Sequence, residues 1–304
     1  MKTKPMRTEG WIYTLFALPV IIYLVLFRFL PFLGNSIAFL DFNILKGFWG
    51  SEFVGFSNFE RLFKSNIFWN AFGNTIRLNL LDLAIGFPFT IFLSLVLIQL
   101  SDRARKSIQT ILYIPYFISW AALGGIVVQM LSPSLGIVNA IGKLFSLNYS
   151  NLPLIMGNES SWVVVYVLTG IWQYAGWGTI IYVTYMLSIN KTIYESASLD
   201  GASSFQKIIH ITLPITKPII LIMLLLKLSG ILSTSFEQIY ALSNPMVTGV
   251  SDVLSTYEYR AGLQSMQFSY ATALGLVESV IALIVVLVSQ LLISKVDGEQ
   301  LENE

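Results

Sequence analysis

Cysteine is absent from the 304-residue chain, and histidine occurs once, at His210. The first absence excludes disulfides and thiolate metal sites, and the second leaves no histidine cluster to hold a metal. His210 lies in a polar loop, where a solvated or interface role suits it better than ligation, so no Ser-His-Asp constellation suggests itself. Charge is scarce as well. Only 12% of residues are charged and the formal net charge is +1, so the chain carries no basic field for nucleic acid. What fills the space is apolar. Hydrophobic residues make up 55% and mean hydropathy is +0.70, which points away from a soluble globule and toward a membrane protein.

Long apolar runs divide the chain. Met1 to Gly10 carries Lys2, Lys4 and Arg7; an apolar run then starts at Trp11 and resumes past Arg28 to Leu33. No small-residue cleavage site follows, so the run reads as an uncleaved first span over about 11–33 rather than a signal peptide. Arg28 falls about 25 Å along that helix, where its long stem reaches the far interface. Residues 34–69 are aromatic and turn-rich, with Gly47, Gly50 and Gly55, and are too interrupted to span. Further spans are expected at about 70–100, 107–131, 161–188, 218–240 and 269–294, making six. The third and fourth carry no charge. The acidic tail, Asp297 to Glu304, should fray. The fold class is therefore all-α: a single polytopic membrane domain over residues 1–304.

Between the fourth and fifth spans lies the longest polar and amphipathic interruption of the second half, Tyr194 to Pro218, inside a loop over 190–217. Ala197, Ala202, Phe205, Ile208 and Ile209 fall near helical spacing, and Asp200-Gly201 splits the run into two brief helices. Gly201 suits a tight reversal because it is free to take a left-handed conformation. Pro214 and Pro218 are expected to close the segment and to mark the start of the next apolar helix. Such a hairpin buries little by itself and has the form of a knob fitting into another protein.

Glu195, Ala197 and Gly201, followed after nine residues by Ile211, Leu213 and Pro214, reproduce the pattern EAA---G---------I-LP, with Ser196 where alanine is usual. This pattern resembles the signature of the membrane subunits of binding-protein-dependent ABC importers. The stretch RFLP…G..IAF.DF….G..GS..VGF.NF, together with QMLSPSLGIVN (129–139), FEQIYALSNPMV (236–247) and TYEYRAGL (256–263), is similar to importers of oligosaccharides and polysaccharide fragments. The resemblance implies a type I ABC importer permease fold in a bacterial cell membrane. It implies as partners a second homologous membrane subunit, two cytoplasmic ATPase subunits and an external solute-binding protein. It also implies a docking loop made of Glu195, Ser196, Ala197, Asp200, Gly201, Ala202, Phe205, Ile211, Leu213 and Pro214, with ATP and magnesium on the partner ATPases and no cofactor in this chain.

Orientation follows from lysine and arginine. With both termini inside, Lys2, Lys4, Arg7, Arg103, Arg105, Lys106, Lys191, Lys207, Lys217 and Lys295 are cytoplasmic, and Lys46, Arg61, Lys64, Lys143 and Arg260 are external. Ten against five is the positive-inside bias, and the docking loop falls on the cytoplasmic side independently. Two motifs are decoys. GIVNAIGK (136–143) has five residues between its glycines instead of the four of a phosphate loop, and Leu144 where Ser or Thr is needed. Asn148, Asn158 and Asn190 match the glycosylation pattern, by chance if the source is bacterial as the resemblance implies.

Charges inside spans are costly and therefore informative. At 1.5 Å per residue, Asp82, Lys227 and Glu278 all fall near the middle of a hydrocarbon core about 30 Å thick. Lys227 has two candidate partners at its level, Glu278 and Asp82, and such a pair either clamps helices or acts as a switch or substrate contact. Ser229, Ser233 and Glu237 recur every fourth residue with Tyr240 beside them, and Trp172, Gln173, Tyr174 and Trp177 sit near the midplane of the fourth span. Aromatic faces and hydrogen-bonding groups together suit a carbohydrate path, although Tyr and Trp also pack helices or form interfacial belts, as at Trp11, Tyr13, Trp69 and Trp162. The alternatives are an ion-coupled secondary transporter using Asp82, Glu278 and Glu237, or an importer of a non-carbohydrate solute. An anion importer would be expected to line its path with more cations than Lys227 alone.

Overall fold

The computed structural model describes residues 10–134, 136–145 and 154–301. The basic N-terminal residues, Asn148 and the last three residues of the acidic tail lie outside the described residues. Helix Phe268–Leu301 carries the earlier part of that tail as helix. Among the described residues, four helices are long and apolar enough to cross a membrane: Tyr13–Phe39, Asn66–Ile98, Ser204–Ser229 and Phe268–Leu291. The bent pair Asp102–Phe117 and Trp120–Met130 makes up to five. Helix Glu159–Leu187 has 29 residues but is not among them, because glycines, Gln173 and ring hydroxyls dilute its apolar content. Six apolar spans are thus not found by composition.

Three differences from the expected spans have physical causes. The third is not straight: it bends by 96° between Phe117 and Trp120, after Pro115 has interrupted the hydrogen-bond ladder. The fifth does not run over 218–240. Its helix starts at Ser204, passes through both prolines and stops at Ser229, and a separate helix, Phe236–Leu242, follows. Pro214 and Pro218 therefore lie within the helix instead of marking its start. A proline can be carried inside a helix if the turn before it widens. Such a widening, a π turn, occurs at Val25–Phe29, Asp82–Gly86 and Ile208–Thr212, each ending two residues before a proline (Pro31, Pro88 and Pro214), whereas a fourth, Arg260–Gln264, precedes none. The i→i+5 bonds from Leu30, Phe87 and Leu213 back to Val25, Asp82 and Ile208 replace the ladder that the proline ring cannot complete.

The chain forms two compact units. The first is Met1–Ser65 with Glu258–Val277. In its described part a two-stranded antiparallel hairpin pairs Leu40 with Phe53 and Asp41 with Glu52. Asn58 ties down the preceding turn by donating to the carbonyls of Ala38 and Leu40, and Phe39, Phe56 and Phe59 cluster beside it. Arg61 donates to Gln267 and lies over the ring of Tyr270. The second unit is Asn66–Tyr257 with Glu278–Glu304. Its core gathers Trp162, Tyr166, Val167 and Ile171 of helix Glu159–Leu187 with Leu78, Trp120, Ile239 and Leu242. Trp162 is fully buried, stacks on Tyr166 and donates its indole N–H to the carbonyl of Leu242, so it packs helices and is not a belt residue. GIVNAIGK falls largely within helix Ile137–Leu144, so it forms no phosphate loop. Asn158 and Asn190 each cap a helix N-terminus.

Candidate functional site: a charged cavity and a docking hairpin

Two cavities of about 380 and 340 Å³ open within the second unit, and both are lined by Asp82, Gly170, Tyr174, Leu226 and Lys227. Asp82 and Lys227 form a salt bridge, joining helix Asn66–Ile98 to the last turn of helix Ser204–Ser229. Of the two acids at matched depth, Asp82 is the partner the structure gives Lys227; Glu278 is half-buried on helix Phe268–Leu301. At the mid-membrane depth expected from the sequence, an ionised side chain costs on the order of 2.5–3.5 kcal/mol on insertion scales, which favours an opposite charge beside it. The π turn places the acid. Asp82 opens that turn and Gly86 closes it, and a Cβ at Gly86 would stand 2.5 Å from Asp82 Oδ1. Any larger residue at 86 would push the carboxylate out of its position.

The rest of the cavity wall is neutral and hydrogen-bonding. Asn79, one turn before Asp82, lines the larger cavity with Tyr166, Ser233, Ser235 and Gln238. Gln238 is buried and donates Nε2 to the carbonyl of Tyr166. Trp177 lines the smaller cavity, stacked on Tyr116 at 4.4 Å, with Phe117 edge-on. Trp120 donates its indole N–H to the Tyr174 hydroxyl at 3.4 Å. The residues around the 96° bend thus hold two of the aromatics that line the cavities, Tyr174 and Trp177.

Of the path residues read from the sequence, Tyr174, Trp177 and Ser233 line a cavity and the others do not. Gln173 is only 3% exposed and donates Nε2 to the carbonyl of Ile118, a group freed by the bend, at 2.9 Å. It is a strut for the broken helix. Trp172 is 54% exposed, away from both linings. The four-residue repeat through Ser229, Ser233 and Glu237 fails because the helix stops at Ser229; Ser229 bonds back to Leu226, and Glu237 and Tyr240 lie exposed on another helix. The residue that faces inward there is Gln238. Asn79 was open to detection, being three residues from Asp82 on one helical face; Tyr166 and Gln238 gave no such signal.

The second feature is a helical hairpin. Asn190 caps helix Lys191–Leu199, and the reversal at Asp200–Gly201 is a Schellman turn: Ala202 N–H bonds Ala197 O at 2.9 Å and Gly201 N–H bonds Ser198 O at 3.1 Å. Gly201 has φ +79° and nothing within 4 Å of a Cβ, so backbone conformation, not crowding within this chain, demands glycine. Ser203 and Gln206 form a capping box that starts the return helix. The hairpin is pinned by Lys207 Nζ donating to Ser198 at 2.7 Å and by a 2.9 Å hydroxyl–hydroxyl bond between Tyr194 and the buried Thr212. Leu199 and Phe205 are largely exposed, at 91% and 69%, and Glu195, Ser196, Asp200 and Pro214 are exposed too, while Ala197, Ala202, Ile211 and Leu213 are half-buried. From this hairpin one unbroken helix, Ser204–Ser229, leads to Lys227 at the cavity.

No protein-family model matches the chain. It is similar to the polygalacturonan/rhamnogalacturonan transport system permease protein YteP of Bacillus subtilis (strain 168), at 37% identity over 94% of this chain and 88% of that protein. Among solved structures it is similar to a bacterial ABC transporter involved in the import of the acidic polysaccharide alginate, with a TM-score of 0.85 and 36% identity over 93% of this chain and 95% of that one. A second structure, the bacterial alginate ABC transporter in complex with its alginate pentasaccharide-bound periplasmic protein, matches with a TM-score of 0.83, 36% identity, and 92% and 93% coverage. With relatives of this identity matched over nearly their whole length, the protein belongs to the carbohydrate-type permease subunits of ABC importers.

Proposed function

We propose that this permease forms half of the translocation path for an oligosaccharide fragment of a polysaccharide, received from an external solute-binding protein. In this reading the chain crosses the cell membrane six times with both termini cytoplasmic. The six crossings are the four apolar helices, the bent pair and the aromatic helix Glu159–Leu187. It pairs with a second homologous membrane subunit and two cytoplasmic ATPase subunits. ATP and magnesium belong to those ATPases, and closure of the ATPase pair acts on this chain through the hairpin.

The observation that carries the proposal is continuity. The hairpin bearing Glu195, Gly201 and Pro214 passes without a break into the 26-residue helix Ser204–Ser229, about 39 Å long at 1.5 Å per residue, and Lys227 near its far end lines the cavity. A push on the hairpin therefore arrives at the cavity wall. The test is ATP hydrolysis and sugar uptake measured in the same vesicles. Gly201→Val places a β-branched residue at positive φ, at a cost of roughly 1–2 kcal/mol, and Glu195→Lys reverses an exposed charge on the docking face. Both variants are expected to insert and assemble with the second membrane subunit yet to lose most substrate-stimulated hydrolysis and uptake. Wild-type stimulation and uptake in both would remove the hairpin from the coupling path.

A further inference from the structure

The two cavities meet at one ion pair. Among their lining residues Asp82 and Lys227 are the only charged ones, and the neighbouring polar groups, Asn79, Tyr174 and Gln238, are neutral. The pair is neither buried nor free in solvent, its side chains being 35% exposed at Asp82 and 43% at Lys227. A pair this open to the cavity is held less tightly than a buried one, and another anion can reach and exchange with one partner. The partners are not held alike. Asp82 opens the π turn of its own helix, and its Oδ1 lies 2.5 Å from where a Cβ at Gly86 would stand, so its carboxylate sits close against that turn. Lys227 carries its ammonium and three donors on a flexible four-carbon stem and can turn to a different acceptor.

Resting on the carbohydrate reading above, we propose that Lys227 is a binding residue for a carboxylate of the cargo and that Asp82 occupies it when cargo is absent. A uronate unit fits both groups at once: its carboxylate displaces Asp82 on Lys227, and a ring hydroxyl donates to the released Asp82. A neutral sugar offers Asp82 the same hydroxyl but gives Lys227 nothing better than the aspartate it already holds. One lysine suffices because an oligosaccharide passes its carboxylates one unit at a time, unlike a small anion that is enclosed whole. Exchange also loosens the tie between helix Asn66–Ile98 and helix Ser204–Ser229, the helix that begins at the hairpin.

The experiment is equilibrium binding of tetragalacturonate and of its carboxyl-reduced, neutral counterpart to the detergent-purified importer complex containing this chain, with the binding protein left out. Wild type is expected to bind the acidic probe at least fivefold more tightly than the neutral one. Asp82→Asn frees Lys227 and should tighten acidic binding a further two- to fivefold, whereas loss of a merely structural pair would weaken it. Lys227→Gln should bring the acidic-to-neutral ratio close to one, and Lys227→Arg should keep it. If the Asp82 variant does not assemble, the two lysine variants decide: a ratio kept in Arg and lost in Gln supports the exchange, and an equal ratio in both overturns it. Equal binding of the two probes by wild type overturns this inference alone. Binding of neither probe overturns the carbohydrate reading beneath it.

Discussion

Two carboxylates outside the membrane-spanning helices show how local surroundings set a charge. Glu60 is exposed, and the hydrogen bond and charge of Lys64 hold its carboxyl below the usual value. Glu258, in the short helix Leu254–Tyr259, is the reverse: burial pushes its carboxyl above the ordinary 4.5. With the folded value raised, the contribution of Glu258 to stability is fully present below its unfolded value and is lost as pH rises through the folded one. Glu258→Gln keeps the shape and cannot ionise. The complex with wild-type chain and the variant should melt alike near about pH 4, and the variant should be the more stable near about pH 8. A wild type that gains on the variant with rising pH would mean that the carboxylate is paired, not penalised. At this same scale the sequence spoke most clearly through charge. Lys227 and Asp82 stood out because few residue types are costlier at mid-membrane, and matched depth made them candidates for each other. Neutral polar residues gave a weaker signal. Glu237 was favoured over Gln238 because the helical count was carried across Gly230–Ser235, where the chain leaves the helix and the register restarts.

At the level of elements, the apolar runs located most helices to within a few residues, and the hairpin was legible because Asp200-Gly201 splits its two helices and Gly201 has a local backbone reason, its φ of +79°. The bend at Ile118–Ser119 was not. The carbonyl it frees is taken up by Gln173 from another helix, a contact between residues 55 apart. Nor did the prolines announce that the helix would continue, since a π turn and a helix end have the same residue before them. The turn Ile208–Thr212 leaves a widened stretch between hairpin and span, and a loose joint there would absorb motion. The Tyr194–Thr212 bond crosses that joint. A hydrogen bond of this kind is worth about 1 kcal/mol, too little to decide folding but enough to stiffen a hinge. Tyr194→Phe removes only the hydroxyl. Assembly and ATP hydrolysis should persist within about twofold, while sugar molecules moved per ATP hydrolysed should fall severalfold, and Thr212→Val should reproduce the defect. An unchanged ratio in both variants would show that the joint is stiff without the bond.

For the whole molecule the open quantity is the number of crossings, and the absence of cysteine makes it measurable, because each introduced cysteine is the only one in the chain. Among the described residues four helices are apolar enough to cross; the bent pair and helix Glu159–Leu187 decide the rest. Parity separates the possibilities. With six crossings and a cytoplasmic N-terminus, position 45 is external, 103 cytoplasmic, 134 external and 191 cytoplasmic. If the bent pair turned back at its 96° bend without crossing, 103 and 134 would share a side and 191 would move outside with the hairpin. The basic residues argue against that outcome, since Arg103, Arg105 and Lys106 precede the bend and Lys191, Lys207 and Lys217 lie in or beside the hairpin. An external hairpin would place both groups on opposite sides and leave the positive-inside bias unsatisfied. Leu45, Arg103, Ser134 and Lys191 are all exposed, so cysteine at each should accept a label. On intact cells a membrane-impermeant maleimide should label Leu45→Cys and Ser134→Cys and spare Arg103→Cys and Lys191→Cys until the membrane is permeabilised. Labelling of Lys191→Cys in intact cells would turn the hairpin away from any cytoplasmic ATPase, and the coupling path from hairpin to cavity would have to be abandoned with it.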